Sequence, residues 1–221
     1  LTAPTRNVYA LPAEIDPAEA PLLQPMTTCL HALRLATIFP GEAVIVMGLG
    51  VTGLLHIQLA KAYGAHPIIG ITRSQRKLDL AKNLGADFTF KPNEHTTERV
   101  LGVTEGRGAD LVIESVGKLP ILAQAIDHAR IGGRILAFGI YTEKEGALPF
   151  YDFYFKELNL INARAAKAQD FEACIDLVRR GAVKLKPVIS HTLPLDEMGE
   201  ALTLLDGGGS KRLKIILNNA N

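Results

Sequence analysis

Three glycines decide most of what this chain can become. Gly48, Gly50 and Gly53 form GLGVTG, directly after the apolar run AVIVM and directly before a segment with helical periodicity. A strand, a tight turn and a helix in that order need glycine at three places for three reasons. Gly48 allows the turn, Gly50 lets the backbone approach a pyrophosphate, and Gly53 lets helix and strand pack closely. The helix N-terminus that follows, with Val51 and Thr52 in its first turn, offers unpaired N–H groups and a partial positive charge to phosphates. The motif therefore predicts a dinucleotide site. A glycine turn without a ligand is the plain structural alternative.

The context strengthens the first reading, because the same alternation continues. After the helix at about 51–63 come the run PIIGIT, a helix from Ser74 to Leu84, DFTF, a helix near 96–104, ADLVIESVG, a helix near 118–129, and GGRILAFGI. ELNLINA supplies a sixth strand. Short apolar runs separated by helix-period segments predict parallel strands with crossover helices, and six of them complete a doubly wound α/β Rossmann sheet. In the first helix Val51, Leu54, Leu55, Leu59 and Ala62 fall on one apolar face. Ser74 suits an N-cap and Gly85 a helix stop.

Around this unit the chain reads differently. Residues 1–24 carry Pro4, Pro12, Pro17 and Pro21, with Pro25 close behind, and read as irregular tethering chain. The dinucleotide-binding domain is expected at 25–163. Residues 164–221 hold a helix at 168–180, the strand KPVISHTLPL, the helix DEMGEALTLL, a glycine turn at 207–209 and the strand RLKIIL. This tail is too short for a core of its own, so it is expected to pack against something that precedes the sheet.

Which dinucleotide follows from one missing acid. In NAD-binding sheets an Asp or Glu about 20 residues past the glycines accepts hydrogen bonds from the adenosine ribose. Here that place is held by Thr72, followed by Arg73, Ser74, Arg76 and Lys77. Threonine removes the repulsion that a carboxylate would exert on a 2′-phosphate, and the cations supply partners for it. The expected cofactor is NADP(H) rather than NAD(H), the alternative being a solvated helix start. Because ligands of open α/β sheets lie beyond the carboxyl ends of the strands, Ser115, Val116 and Gly117 after the fourth strand and Phe138, Gly139 and Ile140 after the fifth are further candidate contacts. Strand-to-loop punctuation is their bland alternative.

Composition removes other classes. At 221 residues with 48% hydrophobic residues and a net charge of +1, the chain fits a folded protein without the basic field that nucleic-acid binding requires. The uncharged run at 43–60 contains three glycines, Thr52, His56 and Gln58, and reads as strand, turn and buried helix rather than a membrane span. LTAPTRNVYALP shows no secretory signal pattern. Cys29 and Cys174 make no CxxC, so neither a disulfide framework nor a zinc knuckle is expected, and a reducing, cytoplasmic setting fits. His31, His56, His66, His95, His128 and His191 show no metal-binding spacing. YxxxK, GxSxG and GxxxxGK[ST] do not occur, and no catalytic residue is assigned.

The segments PLLQPMTTCLHALRLATIFPGEAVIVMGLGVTGLLHIQLAKAYGA, KLDLAKNLGAD, ADLVIESVG, KPVISHTLPLDEMGEAL and KIIL resemble the medium-chain dehydrogenase/reductase superfamily, the zinc-type alcohol, polyol and threonine dehydrogenases. The resemblance runs from about Tyr9 nearly to the end. It implies an oxidoreductase moving hydride between the cofactor and a small alcohol or carbonyl substrate, with a GroES-like catalytic domain split around the dinucleotide domain and completed by the tail. It implies a chain lacking most of that catalytic domain, so that zinc enters only with ligands outside it. Lys214 matches a position where a basic side chain approaches the cofactor pyrophosphate. Gln24 stands where the polyol and threonine branch commonly has a zinc-proximal glutamate, and is otherwise an ordinary helix-start residue. Homodimers or homotetramers, paired through the edge strands, are the expected assembly. A zinc-independent quinone or enoyl reductase, and a nucleotide-binding module without activity, are the alternatives.

Overall fold

In a computed structural model, which describes residues 2–207 and 212–219, the apolar runs form six parallel strands. These are β1 (Val44–Met47), β2 (Ile68–Ile71), β3 (Phe88–Phe90), β4 (Ala109–Glu114), β5 (Ala129–Ala137) and β6 (Asn159–Asn162), in the order β3-β2-β1-β4-β5-β6. β1, β2 and β4 are buried along their whole length, which is why they read as continuous apolar runs rather than alternating ones. Successive side chains nonetheless part to opposite faces. Val44 and Val46 join one core cluster, Ile45 and Met47 the other. The strand order reverses between β1 and β4, and all six strands lie within residues 25–163.

The crossover helices are α2 (Val51–Ala62), α3 (Gln75–Leu84), α4 (Thr96–Val103) and α5 (Leu119–His128). Ser74 occupies the N-cap of α3, and Gly85 ends it in the left-handed conformation, φ +119°. α1 (Leu23–Ala36) begins where Gln24 was read as a helix start, and one helix lies outside the sequence-based expectation, α6 (Phe150–Phe155) in the segment read as loop. α1 buries Met26, Cys29, Leu30 and Leu33 at helical spacing.

The single apolar face expected of α2 needs correction. Leu54, Leu55 and Leu59 are buried as expected, but so are His56, Ile57 and Gln58, whereas Ala62 is exposed. The reason is tertiary: α1 packs against α2, and the return segment reaches it as well. The Gln58 amide donates to the Lys184 carbonyl (3.1 Å) and accepts from the Lys184 amide (2.7 Å).

The tail forms α7 (Ala168–Arg179), β7 (Ile189–Pro194), α8 (Met198–Asp206) and β8 (Lys214–Asn218), with β7 and β8 paired as a separate parallel ribbon. Gly207 caps α8, while Gly208 and Gly209 of the expected turn lie outside the described residues. Cys174, Val183, Leu185 and Val188 join the cluster formed by α1 and α2. The tail thus docks on α1, an element that precedes the sheet.

One buried carboxylate pins this docking. Asp170 of α7, fully buried, accepts hydrogen bonds from Arg34 of α1 and from the Lys167 amide (2.7 Å), and His31 lies 3.5 Å away. Removing one partner of a buried ion pair strands the other. Arg34 keeps partial access to water, so Asp170→Ala is expected to cost about 2 kcal/mol, below the full penalty of a wholly buried pair. Denaturant unfolding measures this, and an unchanged midpoint would remove Asp170 as the pin.

Candidate dinucleotide-binding cleft

The carboxyl ends of β1, β2 and β4 open into one cleft of about 630 Å³. Its floor is the glycine turn. Gly48 has φ +93° and donates its N–H to Ile71 O at 2.9 Å, which ties the end of β1 to β2. A side chain there would be strained and would meet Val116 at 2.6 Å. Gly53 sits in the first turn of α2, where an added Cβ would stand 1.9 Å from Gly48 O. Around the place of a Cβ on Gly50, the N-cap of α2, nothing lies within 4 Å. That open space beside the free N–H groups of a helix start is where a pyrophosphate fits.

Thr72, Arg73 and Lys77 form one wall, Ser115 and Val116 the other. The Thr72 amide is held by Phe90 O (3.2 Å). Thr52 Oγ1 and Ser115 Oγ lie 2.9 Å apart and join the start of α2 to the end of β4. Burial holds the Lys77 ammonium below its ordinary pKa, with the nearby charges of Arg212 and Arg76 acting in the same direction.

Of the residues singled out in the sequence, the cleft gathers Gly48, Gly50, Thr72, Arg73, Lys77, Ser115 and Val116. Others are placed elsewhere. Val51 packs on the core beneath the turn. Ser74 caps α3, and Arg76 lies on its exposed first turn. Gly117 and Gly139 lock the ends of β4 and β5 together, since an added Cβ on Gly139 would meet Gly117 N at 2.1 Å. The Phe138 and Gly139 amides both donate to Glu114 O at 2.9 Å, and the Phe138 ring meets His56 edge-on. Ile140 points to solvent, 88% exposed. Lys214 lies in β8, its carbonyl accepting from Ser190 Oγ at 3.1 Å.

Sequence reasoning missed Glu114. Fully buried, it accepts from the Val116 amide (2.7 Å), the Gly117 amide (3.0 Å) and the Tyr141 hydroxyl, and so shapes the loop that carries Val116. Burial, and then Glu114 itself, push the Tyr141 pKa upward, which keeps that hydroxyl a donor. The signal was a lone acid closing the otherwise apolar end of β4. Above the same wall Lys118 pairs with Glu143 at 2.9 Å.

Beneath the turn, Cys29 Sγ approaches Thr52 O at 3.7 Å, and burial, followed by the neighbouring Cys174, pushes its pKa well up. It is an inert thiol. Gln24 is exposed on the first turn of α1. Among the described residues, no three His, Cys, Asp or Glu side chains converge as a metal ligand set, and no helix is long and apolar enough to cross a membrane.

Comparison with known proteins fits this geometry. A family model described as zinc-binding dehydrogenase matches residues 51–180. A sorbitol dehydrogenase of Halalkalibacterium halodurans is 30% identical over 96% of this chain and 62% of its own length. Among solved structures, an alcohol dehydrogenase of Thermus sp. ATN1 is 30% identical, with a TM-score of 0.87 over 96% of this chain and 61% of that one. A putative zinc-binding dehydrogenase of Sinorhizobium meliloti 1021, bound to NADP, is 28% identical, with a TM-score of 0.85 over 95% of this chain and 61% of that one. The chain thus spans about three fifths of the length of the relatives it matches.

Proposed function

Because the chain belongs to the zinc-binding dehydrogenase family, we propose that it binds NADP(H) and forms the cofactor-binding part of an alcohol dehydrogenase-like oxidoreductase. The enzyme moves hydride between that cofactor and a small alcohol or carbonyl substrate. The observation that carries the reading is the cleft wall: Thr72 stands at the end of β2 with Arg73 and Lys77 beside it, across from an open glycine turn. The relative bound to NADP supports it. Relatives bearing alcohol and polyol dehydrogenase names do not favour a quinone or enoyl reductase.

In this reading the turn and the start of α2 hold the pyrophosphate, and the Thr72 wall holds the phosphorylated ribose. The nicotinamide supplies the hydride chemistry when bound. The described residues of this chain do not assemble a zinc site. The buried free thiols Cys29 and Cys174 suit a reducing cytoplasm. The edge strand β6 and the exposed Phe150, Tyr151, Tyr154 and Phe155 of α6 suit a face covered by a second copy.

Calorimetric titration with NADPH and NADH tests the cofactor. Wild type is expected to bind NADPH at least about tenfold tighter, the worth of one charge-assisted contact. Thr72→Asp reverses that order, because its carboxylate repels a 2′-phosphate and accepts from ribose hydroxyls instead. Equal affinities in the wild type would sink the NADP(H) assignment.

A further inference from the structure

Among the described residues that line the cleft, Arg73, Lys77 and Lys118 are the cations and Glu143 is the one carboxylate. A dinucleotide carries negative charge in its phosphates, so a fixed carboxylate in that wall opposes its binding. Glu143 is already engaged. Lys118 Nζ donates to Glu143 Oε1 at 2.9 Å and reaches Thr142 Oγ1 at 3.5 Å. The hydrogen bond from Lys118 is the main cause that holds the Glu143 carboxyl below its ordinary pKa, so the pair is ionised at neutral pH.

The two side chains stand on fixed roots. Lys118 is the N-cap of α5 and follows Gly117, whose amide donates to Glu114 at 3.0 Å. Glu143 lies two residues past Tyr141, whose hydroxyl donates to the same buried carboxylate. The two loops also touch, since a Cβ on Gly117 would meet Ile140 O at 2.4 Å. The tips are different. The Lys118 and Glu143 side chains are 53% and 32% exposed. An exposed pair of this kind is held weakly, and an ammonium on a flexible stem turns readily to a new acceptor. A phosphate oxygen is such an acceptor, and a charged one. We propose that Lys118 exchanges partners when the cofactor arrives, leaving Glu143 for a phosphate group of the dinucleotide, so that Glu143 acts as a built-in competitor that lowers the affinity of the cleft. Rotation of the two side chains suffices, because Glu114 holds both loops in place. The inference rests on the dinucleotide reading of the cleft and not on the choice between NADP(H) and NAD(H).

The test is a calorimetric titration of the 221-residue chain with NADPH and with NADH, as wild type, Glu143→Gln, Lys118→Met and the double variant. Glu143→Gln is expected to tighten binding about threefold, the scale of an exposed pair. Misfolding cannot produce a gain. Lys118→Met, which keeps the apolar stem, is expected to weaken binding about tenfold. In the Lys118→Met background, Glu143→Gln is expected to change nothing, because the competition has lost its object. Effects shared by NADPH and NADH place the pyrophosphate at Lys118, and effects confined to NADPH place the phosphate monoester there. Unchanged affinity in either single variant overturns the exchange. So does a gain from Glu143→Gln that persists without Lys118, which would mean direct repulsion of the cofactor. A wild type that binds neither dinucleotide sinks the reading of the cleft itself.

Discussion

Alanine at Gly53 is expected to destabilise the fold by about 3 kcal/mol, whereas alanine at Gly50 leaves the fold intact and weakens cofactor binding about tenfold or more. The two glycines lie three residues apart in one motif and differ in what surrounds them. A methyl on Gly53 would stand 1.9 Å from Gly48 O and 2.9 Å from Gly48 C. Both are backbone atoms at the end of β1, so relief requires α2 and the turn to move apart. Overpacking costs typically about 1–3 kcal/mol, and a rigid backbone obstacle puts this site at the upper end. Alanine is intrinsically better than glycine inside a helix by about 1 kcal/mol. That gain is smaller than the collision, so the contact decides the sign.

Gly50 presents the opposite case. Its φ of −76° is open to any residue, and nothing lies within 4 Å of the added methyl. Folding is therefore nearly unaffected. The methyl instead fills the space the pyrophosphate must enter, and losing even one charge-assisted contact there weakens NADPH binding about tenfold or more. Thermal denaturation and calorimetry on the two variants separate the roles. A Gly53→Ala protein that melts like wild type, or a Gly50→Ala protein that binds NADPH like wild type, would overturn the corresponding half.

The same contrast explains how much of the molecule was legible. The six strands were, because a strand buried on both faces announces itself as an uninterrupted apolar run, and β1, β2 and β4 are of that kind. So were the doubly wound, parallel arrangement and the place of the glycine turn. The all-round burial of α2 was not: it depends on α1 and on Lys184, partners set by the tertiary fold. α6 escaped because Phe150–Phe155 is a short aromatic helix with no buried residue, and an apolar face pattern cannot reveal it. At the site, Thr72 and Arg73 were readable from their distance past the motif. Glu114 was not, since it acts through loop amides. Gly117 and Gly139, expected as ligand contacts, also lack room for a Cβ, which would meet Ile140 O at 2.4 Å on Gly117 and Gly117 N at 2.1 Å on Gly139.

Acid exposes a further weakness, built from two buried histidines. His56 is fully buried against Phe138, and neither ring nitrogen makes a hydrogen bond of ordinary geometry. Burial pushes its pKa down to about 3, against a smaller opposite pull from Thr52 one turn back. His128, near Thr97 Oγ1 at 3.3 Å, is pushed down to about 4 by burial and then by Lys156. The folded chain holds both rings neutral, whereas in the unfolded chain they protonate near pH 6.5. Below that pH the unfolded state binds more protons, so stability is full above about 6.5 and is lost as pH falls toward the folded values. From pH 7.5 to 5 each histidine costs about 2 kcal/mol, about 4 kcal/mol for the pair. Asp127, whose carboxyl is raised by burial, opposes this, but it is only partly buried. Asp110 acts in the same sense as the histidines at lower pH, because its bonds from Arg130 and the Ala43 amide outweigh its burial. His56→Leu is therefore expected to roughly halve the loss between pH 7.5 and 5. At pH 7.5 it adds about 1 kcal/mol, since it removes a buried polar ring without partners. Urea unfolding at the two pH values measures both effects, and an acid-induced loss equal in wild type and variant would show that His56 does not carry the proton linkage.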